Sequence, residues 1–141
     1  MKYALALCLL ALDVGLAQAA SAPPVAGRWE NAREQGVLEV YACGDKVCAR
    51  GLPSEAQLKA GVVVKDVKNK NPALRDRSLN GLQVMEGFTG GPTVWTDGSI
   101  YRPADGNTYK GRLELQDANT LKLTGCVVAP LCQSQIWKRT P

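Results

Sequence analysis

The chain has 141 residues, with 17 Lys and Arg against 13 Asp and Glu, and it contains no His. The missing histidine excludes Ser-His-Asp and Cys-His nucleophile pairs, histidine-based zinc or non-haem iron sites, and general base catalysis by imidazole. The length allows one domain, and the proportions of 45% apolar and 21% charged residues exclude a disordered chain.

The N-terminus is typical of a secretory signal peptide. One positive charge precedes an apolar run over residues 3–12, and Ala17-Gln18-Ala19 is a small-residue cleavage motif. The run is too short for a bilayer, which needs about 20 residues, and Asp13 interrupts it. A lipoprotein signal cleaved before Cys8 is an alternative, but it would leave almost no apolar region. The sequence therefore predicts a Gram-negative type signal peptide over residues 1–19, no integral membrane span, and a periplasmic or secreted protein.

The folded domain is predicted to be all-β. Residues 20–26 form a short extended leader, and residues 27–141 form the domain, in which apolar runs alternate with turn signals such as Gly44-Asp45 and Asp97-Gly98. The predicted strands lie near residues 27–33, 36–43, 47–51, 80–88, 93–97, 99–102, 107–116, 120–127 and 132–139. Short antiparallel strands in sequence order favour an up-and-down barrel of about eight strands, with a two-sheet sandwich as the alternative.

A long connection over residues 52–79 interrupts the strands after the third one. Ser54-Glu-Ala-Gln57 has the pattern of a capping box and Gly61 can end a helix, so a short helix is predicted near residues 55–60. Asn71-Pro72 can start a second helical turn. A connection of this length in a small domain usually has a function of its own or is disordered.

The same connection concentrates positive charge. It carries a net charge of +3 over residues 62–79, from Lys65, Lys68, Lys70, Arg75 and Arg77 against Asp66 and Asp76. Such a segment can bind an anionic ligand, or it can simply be a solvated loop. Export makes nucleic acid an improbable partner.

The four cysteines that remain after cleavage indicate disulfides, because their number is even and the domain is exported. Cys43 and Cys48 bracket a Gly-Asp turn, and Cys126 and Cys132 bracket Pro130, so these two pairs are predicted. A four-cysteine zinc site is the alternative, but its usual spacing differs and an oxidising compartment disfavours free thiolates.

Side-chain alternation predicts what the last strand presents to the interior. If Cys126 and its cross-strand partner Cys132 point outward, then Gln133, Gln135 and Trp137 point into the barrel. A polar lumen suits a ligand-binding barrel, although these amides could also bond to each other, to water or to an interior Arg or Tyr. A bulge between residues 128 and 133 would reverse the alternation.

Several stretches resemble a bacterial family of small exported proteins called domain of unknown function 2147. They are Gly27-Arg-Trp29, Glu39 to Arg50 with its two cysteines, Lys68 to Gly81 with Asn71-Pro72, Ile100 to Tyr109 with Asp105-Gly106, and Gln135-x-Trp137-x-Arg139. The resemblance implies a lipocalin-like β-barrel. It also implies a barrel floor of Trp29, Trp137 and Arg139, in which Trp29 lies under the guanidinium of Arg139, although Lys138 could replace Arg139.

The sequence favours a binding protein over an enzyme. The expected partner is a small, largely apolar or amphipathic ligand held in the lumen. The candidate contacts are Arg75, Arg77, Trp95, Tyr101, Tyr109 and Gln135. Arg75 and Arg77 could clamp an anionic head group, or they could pair with Asp66, Asp76 or Asp105 and only fix the loop.

Two other functions remain as alternatives. The first is a non-catalytic envelope interaction protein or inhibitor, for which a disulfide-stapled β-domain is suited. The second is a hydrolase that uses carboxylates among Asp66, Asp76, Asp97 and Asp105, although no pair of them can be shown to converge. No catalytic residue, metal or cofactor is expected.

Overall fold

The computed structural model describes residue 15, residues 21–128 and residues 130–141, and these contain eight β-strands. The strands are β1 Gly27–Asn31, β2 Gly36–Cys43, β3 Lys46–Leu52, β4 Gln83–Gly90, β5 Val94–Arg102, β6 Asn107–Asp117, β7 Thr120–Val128 and β8 Leu131–Thr140. Each strand pairs antiparallel with the next and β8 pairs with β1, so the sheet closes into an up-and-down barrel. The predicted barrel is therefore confirmed, with its long insertion after the third strand.

The prediction of two strands at 93–97 and 99–102 is wrong, because both belong to β5. Asp97 has a φ of 63°, and the pairing of β5 with β6 shifts register between Trp95 and Gly98. Asp-Gly here marks a bulge within one strand rather than a hairpin turn. Packing also favours glycine at position 98, since a Cβ there would overlap the ring of Phe88.

The connection between β3 and β4 contains the predicted helix, α1 Glu55–Ala60. The Ser54 hydroxyl accepts a hydrogen bond from the Gln57 backbone N–H, and the Gln57 side chain accepts one from the Ser54 backbone N–H, which completes the capping box. Gly61 ends the helix in the left-handed conformation, with φ 64°. The second predicted turn is a 3₁₀ turn over Pro72–Leu74.

Both predicted disulfides are present. Cys43–Cys48 joins β2 to β3, and Cys126–Cys132 joins β7 to β8. Because successive connections of an up-and-down barrel alternate between its ends, the two disulfides lie at opposite ends of the barrel. We call the end with the β2–β3, β4–β5 and β6–β7 turns the closed end, and the end with the long β3–β4 loop the open end.

A single arginine organises the closed end. Arg139 on β8 lies over the ring of Trp29 on β1, with 4.3 Å between the guanidinium carbon and the ring centroid, as the resemblance implies. The same guanidinium donates hydrogen bonds to three backbone carbonyl oxygens, those of Pro24, Ala26 and Ala118, at 2.7–2.8 Å. It therefore ties the leader and the β6–β7 turn to the last strand.

The Gly27-x-Trp29 motif has a direct steric explanation. Gly27 has a φ of 133°, and a Cβ on it would lie 2.6 Å from Nη1 of Arg139. Only glycine lets the guanidinium approach this closely. The indole N–H of Trp29 donates to the carbonyl oxygen of Val25 at 2.9 Å, and both side chains are fully buried.

Residues 1–14 and 16–20 lie outside the described residues, so the signal peptide stays a prediction. In the part of the chain that the structure describes, no helix has the length and hydropathy needed to cross a membrane.

We predict that Arg139→Ala lowers the free energy of unfolding by about 2–4 kcal/mol, because it removes three charge-assisted hydrogen bonds and the contact with Trp29. Urea denaturation with intact disulfides measures this change. Arg28→Ala is the control, since Arg28 on β1 forms only a partly exposed 3.6 Å ion pair with Glu30 and should change stability by about 0.5 kcal/mol or less. Equal effects of the two substitutions would contradict the assigned role of Arg139.

Candidate functional site

A cavity of about 280 Å³ lies in the barrel lumen towards the open end. Its walls are largely aliphatic and aromatic, and they come from strands β2 to β8. The principal apolar residues are Leu38, Val84, Met85, Ile100, Leu123 and Trp137. Val64 and Leu79 of the long loop also line the cavity, so the loop forms part of its wall.

The last strand brings amide groups to this cavity, as the alternation of its side chains predicts. Gln133, Gln135 and Trp137 all line it, whereas Ser134 and Ile136 lie on the outer wall. The pairing of β7 with β8 shifts only beyond Cys126, so the register that sets this alternation is intact. No described residue forms a side-chain hydrogen bond with either glutamine, which leaves both amides available to a ligand.

A group of four polar residues stands at the mouth of the cavity. This mouth cluster consists of Glu34, Arg102, Asp105 and Tyr109. Arg102 bridges two connections, with 2.8 Å to a Glu34 oxygen and 3.1 Å to an Asp105 oxygen, and the Tyr109 hydroxyl donates to Asp105 at 2.6 Å. Burial alone would raise the pKa of Asp105, but hydrogen bonds from Tyr109, the Asn107 backbone and Arg102 lower it. Asp105 is therefore an ordinary anion at neutral pH.

The long loop is fixed to the barrel through one buried carboxylate. Asp66 has no exposed side-chain surface, and its oxygens accept hydrogen bonds from the Tyr101 hydroxyl at 2.5 Å, the Asn69 amide at 2.8 Å and the Arg77 guanidinium at 2.9 Å. Burial favours a raised pKa for Asp66, but these three donors outweigh it and lower the pKa. The pKa of Tyr101 is raised, first by burial and then by its bond to Asp66.

Arg75 and Arg77, the two arginines that could have clamped a head group, both form hydrogen bonds within the long loop. Arg77 pairs with Asp66, and its guanidinium carbon lies 5.7 Å from the centroid of the Tyr101 ring. Arg75 donates through Nε to the backbone carbonyl oxygen of Asn69 at 2.9 Å. Neither arginine lines the cavity, so their geometry matches the loop-fixing alternative for Arg77 and a backbone contact for Arg75.

A glycine in the β5–β6 turn allows the loop to lie against the barrel. A Cβ at Gly106, which has a φ of 72°, would overlap the carbonyl oxygen of Lys68. The Asp105-Gly106 and Lys68-Asn69 motifs therefore lie against each other. The hydrogen bond between Asp66 and Tyr101, which are 35 residues apart, belongs to the same contact between the loop and the barrel.

The six ligand contacts suggested by the sequence separate into three groups. Tyr101, Tyr109 and Gln135 line the cavity. Arg75 and Arg77 lie in the loop that covers it. Trp95 is 2% exposed and lies near the closed end, where β4 turns into β5, and it packs in the core away from the cavity lining.

Two cavity residues had no signal in the sequence. Glu34 and Arg102 are 68 residues apart, and only closure of the barrel brings the β1–β2 turn to the end of β5. An Arg followed by Pro at a strand end is too common a pattern to identify such a pair. Within the described residues, no cluster of three or more His, Cys, Asp and Glu side chains is arranged to hold a metal ion.

We predict that Asp66→Asn frees the loop while the barrel stays folded, because the substitution removes the charge that three donors share. The lowered pKa means that ionised Asp66 stabilises the loop above about pH 4, and that this stabilisation is lost as the pH falls through the lowered value. The backbone N–H groups of residue 66 and Leu79 bond to the carbonyl oxygens of Arg77 and Val64. Their protection against hydrogen exchange, relative to the intrinsic rate at each pH, should fall at neutral pH in the variant and below about pH 4 in the parent.

The matched control for this prediction is Asp76→Asn. Asp76 lies in the same loop with 98% of its side chain exposed, and it pairs only with Lys65 at 3.7 Å. Exchange should be unchanged in this variant. Acceleration to the same degree in both variants would contradict the anchoring role of Asp66.

The fold and the sequence are both similar to those of known proteins. Protein HP1028 from the human pathogen Helicobacter pylori, described as a member of the lipocalin family, superposes with a TM-score of 0.71 at 24% sequence identity, over 82% of each chain. This likeness shows that the fold is lipocalin-like. No curated protein matches the chain. A family model described as "Uncharacterized protein conserved in bacteria (DUF2147)" matches residues 27–139, which is nearly the whole barrel, and the chain therefore belongs to the DUF2147 family.

Proposed function

We propose that this protein is an exported binding protein of the bacterial envelope, which holds a small, largely apolar or amphipathic molecule in its barrel lumen. The observation that carries the proposal is the cavity of about 280 Å³ with aliphatic and aromatic walls and two glutamine amides. Lumen cavities at the mouths of β-barrels are common ligand sites.

The size of the cavity limits the ligand. Its volume of about 280 Å³ is near the lower end of ligand pockets, which span about 300–1,000 Å³. It is about twice the volume of an engineered apolar cavity of about 150 Å³ that binds benzene. A molecule with one or two rings, or a short aliphatic chain, fits this space.

The polar groups limit the chemistry of the head group. Gln133 and Gln135 can donate and accept hydrogen bonds without charge. In the mouth cluster, two carboxylates surround the single guanidinium of Arg102, so the net charge of this cluster is negative. This arrangement favours an uncharged hydroxyl, carbonyl or amide group over an anionic one.

Export is supported by two independent features. The chain forms two disulfides, which persist in oxidising compartments, and its first 19 residues have the composition of a signal peptide. We assign the protein to the periplasm or the secreted fraction on these grounds.

Binding without catalysis is supported by the state of the two carboxylates nearest the cavity and its loop. Asp66 and Asp105 each accept several hydrogen bonds and have lowered pKa values, so neither is poised as a general acid. Asp66 is also fully buried under its donors. These features argue against the alternative of a carboxylate-dependent hydrolase.

A second candidate function is that of an envelope interaction protein or inhibitor. It is favoured by the aliphatic side chains that the barrel exposes at its open end, among them Val127 and Leu131. It differs from the first proposal in requiring a filled or unused lumen.

We predict that the uncharged two-ring fluorophore 6-propionyl-2-(dimethylamino)naphthalene binds one to one in the lumen, and that Val84→Trp weakens this binding by about tenfold or more because the larger ring occupies the cavity. A fluorescence titration measures the affinity. Ile136→Trp is the control, since Ile136 is 45% exposed on the outer wall, and it should leave binding unchanged. Loss of binding in Ile136→Trp alone would place the probe on the outer surface and overturn the lumen proposal.

We further predict that protein purified from the periplasm carries a natural ligand that native mass spectrometry detects as an added mass. The added mass should be absent from Val84→Trp and present in Ile136→Trp. A lumen that is empty in both the parent and the control, and that takes up no fluorophore, would favour the interaction protein.

A further inference from the structure

The β7–β8 hairpin projects an aliphatic tip from the open end of the barrel. Val127, Val128 and Leu131 expose 70%, 60% and 67% of their surface, and residues 127–131 include no charged residue. The Cys126–Cys132 disulfide fixes the two strands directly below the tip. The tip is therefore presented as a constrained element, which reduces the entropy lost when it is buried against a partner.

The long loop presents a second set of aliphatic side chains at the same end. Five of them are 37–64% exposed, namely Leu58, Val62, Val63, Val67 and Leu74. We call these five residues, together with the three at the hairpin tip, the apolar rim. The loop and the hairpin both contribute to the cavity wall, through Val64 and Gln133 for example, so the rim belongs to the entrance of the cavity.

The rim is accompanied by positive charge. Between residues 53 and 82 the exposed charged groups are Lys59, Lys65, Lys68, Lys70 and Arg75 against Glu55 and Asp76, a net charge of +3. Of these cations, only Lys65 forms an ion pair with a described residue. The other basic residue of the loop, Arg77, is neutralised by Asp66 and takes no part in this surface.

We propose that the open end of the barrel docks on an anionic lipid bilayer, with the hairpin tip inserted at the interface and the loop cations against the head groups. Aliphatic side chains combined with neighbouring cations are the requirements for binding at a lipid interface. A protein partner is disfavoured because protein interfaces are rich in aromatic residues and poor in Lys, whereas this surface has abundant Lys and no aromatic residue.

This docking goes beyond small-molecule binding, and it places the cavity entrance against the membrane. Docking also accounts for the exposed apolar rim, which a carrier in free solution does not need. Eight exposed aliphatic side chains around one opening are a liability for self-association, unless a lipid surface covers them part of the time.

The test is co-sedimentation of residues 20–141, which contain the whole closed barrel, with vesicles of two compositions. We expect binding to vesicles of equal parts phosphatidylglycerol and phosphatidylcholine, weaker binding to phosphatidylcholine alone, and weakening by added salt. Val127→Asp with Leu131→Asp should reduce the partition coefficient by about tenfold or more, because charged side chains then occupy the inserted tip. Circular dichroism should be unchanged, since both positions are exposed.

Two matched controls, Ile136→Asp and Lys46→Glu, introduce the same side chains away from the proposed docking surface. Ile136→Asp adds a charge on the same strand but on the outer wall, and it should keep the parent affinity. Lys70→Glu should weaken binding to the anionic vesicles severalfold, whereas Lys46→Glu, at the β2–β3 turn of the closed end, should not.

Three outcomes would overturn the proposal. They are absence of binding to the anionic vesicles, equal weakening by Ile136→Asp and the tip variant, and a stable dimer in light scattering that the tip substitutions dissociate. The last outcome would assign the rim to a second copy of the chain. Because fluorophore binding in the lumen is measured without vesicles, each of these results is independent of the proposed ligand site.

Discussion

Closure of one end of the barrel by Arg139 is the interaction from which the rest of the structure follows. An up-and-down barrel can open at either end, so what fills one end decides where a cavity can lie. The guanidinium of Arg139 lies over Trp29 and bonds to carbonyl oxygens of the leader and of the β6–β7 turn, so this end is filled. Both the cavity and the mouth cluster lie at the opposite end, where the long loop lies.

Features set by local geometry were predictable from the sequence. The capping box of Ser54 and Gln57 and the turn at Asn71-Pro72 depend on a few neighbouring residues, and both are observed. The disulfides follow from the short turns that they bracket. The inward direction of Gln135 and Trp137 follows from the period of a strand, because the bulge that could have reversed it lies beyond Cys126.

Features set by barrel closure were not predictable. Asp97-Gly98 has the local signature of a turn, and only its packing over Phe88 makes it a bulge within β5. Trp95 was a candidate ligand contact, but the depth at which its side chain enters the barrel depends on strand stagger, and it lies in the core at the closed end. The pairing of Glu34 with Arg102 joins residues that no local pattern connects.

The distribution of charge separates the two faces of the long loop. On the face towards the barrel, Arg77 is neutralised by Asp66, and this neutral contact can be buried under Tyr101 because every charge has a partner. On the outer face, the cations outnumber the anions and alternate with aliphatic side chains. The loop thus has an inner side whose charges are paired within the barrel, and an outer side on which the proposed docking to a bilayer rests. An element that only covered the lumen would need the inner side alone, and this is why we propose the outer side as a contact surface in addition to the loop's place in the cavity wall.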